Sequence, residues 1–229
     1  MPSPTVIRRV FKPALFVLCA VPLLSVVWAA FEIGGASLGT NPVEKIQDTF
    51  GQWGLRLLVI TLAVTPLRDW FGLPWLVQLR RMLGLFAFFY VVMHFLTWLL
   101  LDQGLYWSGI LEDIAKRPFI TIGFTALLLL VPLAVTSTNK MMRRLGKRWK
   151  SLHRSIYVIC LLAVWHYYWQ VKADTTEPLI YLAIVLVLLG WRAWQARPGR
   201  ARTVLSRPVS NPEKHNLAAN VTGNVSDNP

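Results

Sequence analysis

The chain has 229 residues, of which 55% are hydrophobic and only 15% charged, and its mean hydropathy is +0.46. Soluble domains carry about 25% charged residues, so an ordinary water-soluble enzyme is excluded, and the 12% aromatic content excludes disorder except locally. The net charge of +13, from 24 Lys and Arg against 11 Asp and Glu, reads as loop charge on a protein of the lipid bilayer, with no nucleic-acid partner.

A helix that crosses a bilayer needs about 20 mostly apolar residues. After a short N-terminal segment, 1–12, six stretches qualify or nearly so: 13–31, 51–67, 82–101, 118–137, 151–170 and 178–194. The opening IRRVFKP mimics a twin-arginine signal, but no convincing cleavage site follows and five more spans do, so it reads as an uncleaved first span. The second and sixth spans are short and lean on flanking Trp and Arg anchors. Pro132 should kink the fourth, which a membrane helix tolerates. Cys19 and Cys160 fall inside apolar runs with no CxxC pattern, which argues against a disulfide framework or a zinc site.

Basic residues orient the spans, because Lys and Arg accumulate on the cytoplasmic side. Nineteen of the 24 lie in alternate connections: Arg8 to Lys12, then Arg68 with Arg80 and Arg81, then Lys140 to Arg154, then Arg192 to Lys214. Both termini are therefore expected in the cytoplasm. Residues 13–196 form the six-span domain, and 197–229, rich in Pro, Asn, Ser and Arg, read as a disordered cytoplasmic tail. No GxGxxG or P-loop pattern occurs, and no internal repeat is visible in the sequence.

Ionisable groups inside spans mark function by default. His94 and His166 lie on the third and fifth spans, which run in the same direction. At 1.5 Å per residue they stand ~18 Å and ~22 Å above the cytoplasmic entry points. Matched depth on two helices suits axial ligation of a haem iron between facing helices. Two unrelated interhelical hydrogen bonds are the plainer alternative. Phe86, Phe88, Phe89, Phe95, Trp98, Trp165, Tyr167, Tyr168 and Trp169 are candidates to pack a porphyrin, or simply core and interfacial aromatics. His153 falls ~19.5 Å below His166, at the basic cytoplasmic rim. It is either a snorkelling surface group or part of a second site, with Arg80 and Arg81 opposite and no histidine there. Arg56, near the outer end of the second span, could pair with a haem propionate or merely snorkel. His215 sits in the polar tail as a solvated side chain.

The stretches GQWGLRLLVITLAVTPLR, LRRMLGLFAFFYVVMHFLTW and SLHRSIYVICLLAVWHYYW, with His94, His153 and His166, resemble the ferric-reductase-like transmembrane family over roughly residues 10–195. The resemblance implies an all-α, six-helix bundle of the bacterial inner membrane holding haem b, one group or two, with FMN as a further cofactor that it allows. It also implies electron flow from the quinone pool, as quinol, to a periplasmic molybdopterin-containing methionine sulfoxide reductase. Relatives with two histidines on each helix stack two haems, whereas the third span here carries one. A stand-alone ferric or cupric reductase is the rival redox reading. A transporter or assembly factor is the non-redox one.

Overall fold

Proline, asparagine and glycine punctuation sets the helix limits in the computed structural model, which describes residues 2–171 and 173–196. Helix α1 spans Pro4–Ala30, with one π turn at Ile7–Phe11. Helix α2, Pro42–Phe71, opens on Asn41, whose side-chain carbonyl accepts from the Glu44 N–H while its amide donates to the Glu44 carboxylate at 2.8 Å. It closes on Gly72 at φ +64, with the Leu73 N–H returning to the Arg68 carbonyl. Helix α3, Val77–Thr97, runs on through a π turn at Trp98–Asp102. Helix α4, Trp107–Lys116, is short; α5, Pro118–Val135, follows with proline at its first position. Then come α6, Asn139–Leu145, α7, Lys147–Leu152, a 3-10 turn at His153–Ser155, α8, Ile156–Gln170, and α9, Thr176–Gln195. No strand occurs among the described residues. The predicted tail, 197–229, and His215 lie outside them.

Five stretches are long and apolar enough to cross a membrane: α1, α2, α3 with its flanking turns, α5 and α9. The predicted fifth span, 151–170, is shorter than expected, because the 3-10 turn at His153–Ser155 interrupts the helix before Ile156. Its 15-residue helix rises ~22 Å, against a hydrocarbon core of ~30 Å. Helix α5 continues through Pro132 and ends at Val135, where the hydroxyls of Thr136 and Ser137 donate to the Pro132 and Leu133 carbonyls.

Four helices surround the centre of the chain. Helix α2 packs most extensively on α3, and α5 on α8; α2 also meets α8, and α3 meets α5. In lipid, apolar surface gives no drive for helices to associate, so close approach and polar contacts must hold them. Gly54 supplies the approach: a Cβ there would lie 3.0 Å from Val91 Cγ2 and 3.4 Å from the Val91 backbone nitrogen.

Tyr90 supplies a polar contact. Fully buried on α3, it donates to the Cys19 carbonyl at 2.6 Å and accepts from the Leu23 N–H at 3.2 Å. Its hydroxyl thus bridges a carbonyl and an N–H four residues apart in α1, around Pro22, which itself has no N–H to give. Cys19 and Leu23 also stand at the i, i+4 spacing of the helix, so Tyr90→Phe removes the bridge between helices without orphaning either group, an expected loss of about 0.5–1.5 kcal/mol. Thermal unfolding in detergent should show a lower midpoint; an unchanged midpoint would mean the bridge holds nothing.

Candidate functional site

A cavity of about 790 Å³ opens where α2 and α5 begin and where α3 and α8 finish. The basic residues of the described chain gather mainly at the opposite end: Arg68, Arg80, Arg81 and the run from Lys140 to Arg154. Leu55, Leu58, Leu127, Leu130 and Ile159 form apolar walls, while Glu44, Asp48, Asp102 and Asp174 contribute carboxylates to the lining.

His94 and His166 both face into this space, their ring centres 6.1 Å apart and their planes at 77°. His94 Nδ1 is 2.9 Å from the Gln47 carbonyl, and His166 Nδ1 is 2.7 Å from the Phe119 carbonyl. A carbonyl can only accept, so each Nδ1 carries the proton and each Nε2 keeps its lone pair for a ligand. This is the outer-shell bond that orients metal-bound histidines. Metal–imidazole nitrogen distances are about 2 Å, which places two rings on opposite sides of one ion with centres roughly 6 Å apart. The observed spacing matches.

The arrangement is built twice. Each histidine lies 47 residues beyond the carbonyl that holds it. In both cases a glycine of the facing helix backs the ring: Gly51 behind His94, Gly123 behind His166. A shift of 72 residues carries Gln47 to Phe119, Gly51 to Gly123 and His94 to His166. It also carries α2 and α3 onto α5 and α8, so the four-helix core is a repeated hairpin. The repeat is one of position, and at sequence level it stays faint. Thr49, Gly51, Leu55, Leu57, Leu58 and Val59 recur as Thr121, Gly123, Leu127, Leu129, Leu130 and Val131, but Leu and Val are too common in spans to stand out.

Of the predicted aromatic set, Phe95, Trp98 and Tyr167 line the cavity, joined by Phe119 and Phe124, which sequence reasoning missed. Phe89, Trp165, Tyr168 and Trp169 are exposed on the helix surfaces. Arg56 does not line the cavity. Its Nε donates to the Tyr181 hydroxyl at 3.2 Å, its Nη2 to Gln52 Oε1 at 3.0 Å, and its guanidinium lies over the Trp53 ring.

His153 is far from the pair, at the basic end. Its ring stacks on Trp149 at 3.9 Å, and its Nδ1 bonds the Trp149 carbonyl at 3.1 Å. Its Nε2 is buried, the Leu133 main chain lies within reach of the ring, and Arg80 is near enough to act on it electrostatically. Arg81 is turned to Asn139, 3.0 Å away. A separate hollow of about 530 Å³ is lined by Gly146, Lys147, Lys150, Ser151 and Arg154.

Among the described residues, no group of three or more His, Cys, Asp or Glu is gathered to hold a bare metal ion. Two imidazoles alone are a sparse ligand set. They suit an iron that arrives with four equatorial nitrogens of its own, as haem iron does, and the apolar walls and aromatic rings suit a porphyrin.

Comparison with known proteins follows the same line. The sequence model of the ferric reductase like transmembrane component family matches residues 50–164. The heme-binding subunit MsrQ of protein-methionine-sulfoxide reductase from Xanthomonas campestris pv. campestris (strain 8004) is 52% identical over 176 residues, 77% of this chain and 81% of that protein. Its namesake from Xanthomonas axonopodis pv. citri (strain 306) is 51% identical, with the same coverage. That of Bordetella pertussis (strain Tohama I) is 49% identical over 195 residues, 83% of this chain and 93% of its own length.

Proposed function

This chain belongs to the ferric reductase-like transmembrane family, alongside the MsrQ heme-binding subunits, and on that premise we propose that it is a b-type cytochrome of the bacterial inner membrane. It takes electrons from quinol and passes them to a periplasmic molybdopterin-containing methionine sulfoxide reductase, so that oxidised periplasmic proteins are repaired. The observation that carries the reading is the His94 and His166 pair, 6.1 Å apart with both Nδ1 atoms tied to main-chain carbonyls.

Haem bound here supplies a one-electron couple buried within the bundle. His94 and His166 would hold it through their Nε2 atoms. The Gln47 and Phe119 carbonyls fix their tautomers and raise their basicity. Phe95, Trp98, Phe124 and the leucine walls keep water from the iron. The cavity end, poor in basic residues, is the periplasmic end, and the Lys140–Arg154 end is cytoplasmic. Electrons therefore leave on the side where the reductase subunit docks.

At the cytoplasmic end, His153 and Arg80 border a second, weaker cofactor site. The burial of His153 Nε2 beside the Arg80 charge supports this. Arginine stays protonated and serves a propionate or phosphate better than it serves iron. The hollow between Lys147, Lys150 and Arg154 suits the phosphate of FMN. With Arg56 held by Tyr181 and Gln52, its part toward a propionate is indirect, through the Gln52 side chain that lines the cavity.

Reduced-minus-oxidised spectra of the purified protein, with haem and flavin measured per chain, test the reading. A Soret band with reduced b-type features is expected; a colourless, correctly inserted protein would overturn it. His153→Ala should lower cofactor content in part and leave the bis-histidine haem in place. Full content together with full electron transfer in that variant would remove the second site.

A further inference from the structure

Deepening the haem reading, and resting on it, we propose that Gly51 and Gly123 are positioning residues that hold the two axial imidazoles with their planes nearly perpendicular, and so set the electronic character of the iron between them. The observed interplanar angle is 77°. Each ring has two constraints beyond its own helix. One is the bond from Nδ1 to a carbonyl, Gln47 or Phe119. The other is the bare backbone of a glycine one helical turn further along the facing helix. A Cβ on Gly51 would lie 2.9 Å from His94 Nδ1 and 3.1 Å from its Cε1. One on Gly123 would lie 2.8 Å from His166 Nδ1 and 2.9 Å from its Cε1.

Three of those four separations are under 3.0 Å, closer than real Cβ contacts come, and the fourth is tight. A free imidazole could swing away; one bonded to iron at Nε2 and to a carbonyl at Nδ1 cannot. An added methyl group must therefore rotate the ring, break its carbonyl bond or pull it off the iron. Glycine is a weaker helix former than alanine, so its place in the middle of both helices has another cause. Because the two glycines, carbonyls and rings recur on the repeated hairpin, the angle is fixed by backbone on both sides.

The angle matters because an imidazole's π system overlaps iron d orbitals only in one plane. Crossed planes leave two of those orbitals nearly equal in energy. In the ferric low-spin state this gives an electron paramagnetic resonance signal with one large, isolated g value. Parallel planes separate the orbitals, spread the signal into a rhombic set, and favour the ferric state, which lowers the midpoint potential.

The experiment uses the full chain, purified with its haem, and compares electron paramagnetic resonance spectra and redox titrations of wild type, Gly51→Ala and Gly123→Ala. Gly84→Ala and Gly190→Ala are controls: a Cβ at Gly84 meets only Thr61 Cγ2 at 3.7 Å, and one at Gly190 meets nothing within 4 Å. The expected result is an isolated large-g signal in wild type and both controls. In each of the other two it should be lost, either to a rhombic low-spin form with lower potential or to a high-spin form. Haem-free Gly51→Ala and Gly123→Ala protein, inserted at wild-type level beside loaded controls, supports the proposal too, since the ring has left its site. Wild-type spectra and potentials in both variants, a rhombic wild type, or equal damage in the controls overturns it. In these cases the haem reading survives. That reading fails separately if the wild-type chain binds no haem, and the proposal falls with it.

Discussion

Replacing either His94 or His166 by alanine is expected to cut haem per chain by roughly tenfold or more, since loss of a mere outer-shell partner already costs about 10–100-fold in metal affinity. The amount of chain in the membrane should not change. Neither substitution orphans a polar group, because the Gln47 and Phe119 carbonyls still accept from N–H groups of their own helices. The remaining histidine keeps its carbonyl bond, so residual haem should be five-coordinate and high-spin. Absorbance of the purified variants at matched protein concentration reads both effects. An unchanged low-spin spectrum in both single variants would mean that the 6.1 Å pair is not the axial set.

Electron supply should show an equally large effect. On the proposed reading the electron donor is quinol, which is lipid-soluble and already in the bilayer. Membranes containing this protein and the proposed partner, a periplasmic methionine sulfoxide reductase, should lose sulfoxide repair when quinones are removed, and regain it when a quinone is restored. Continued repair without quinones, driven by NADH and a soluble flavin reductase, would assign the donor to the cytoplasmic face. Reduction of chelated iron in the absence of any periplasmic protein would instead favour a stand-alone reductase.

Heights along the bundle were legible in the sequence, and directions around it were not. A rise of about 1.5 Å per residue sufficed to bring His94 and His166 to one level, and the structure sets their rings 6.1 Å apart. Arg56 was at a plausible height too, yet successive residues turn by about 100°, and its side chain faces Tyr181 on α9. Only the packing of α2 on its neighbours decides that. Gly51 and Gly123 were equally silent, since a glycine in an apolar run acquires meaning only from what stands against it. The short helix α8 shows a third limit: hydropathy carried that span back to Ser151, whereas the 3-10 turn at His153 delays the helix proper until Ile156.

With His94 and His166 as the proposed haem ligands, their division between two hairpins also has a consequence for biogenesis. His94 leaves the ribosome 72 residues ahead of His166, an interval of about 4–14 s at 5–20 residues per second. During that interval α2 and α3 can pair in the bilayer with one imidazole already oriented and nothing opposite it. On that reading stable capture of the iron awaits arrival of the second hairpin, and from then on the cofactor joins early-made and late-made halves of the chain. Binding that favours only the joined form stabilises it by mass action, so cells starved of haem should accumulate a chain whose halves are more readily parted by protease or detergent.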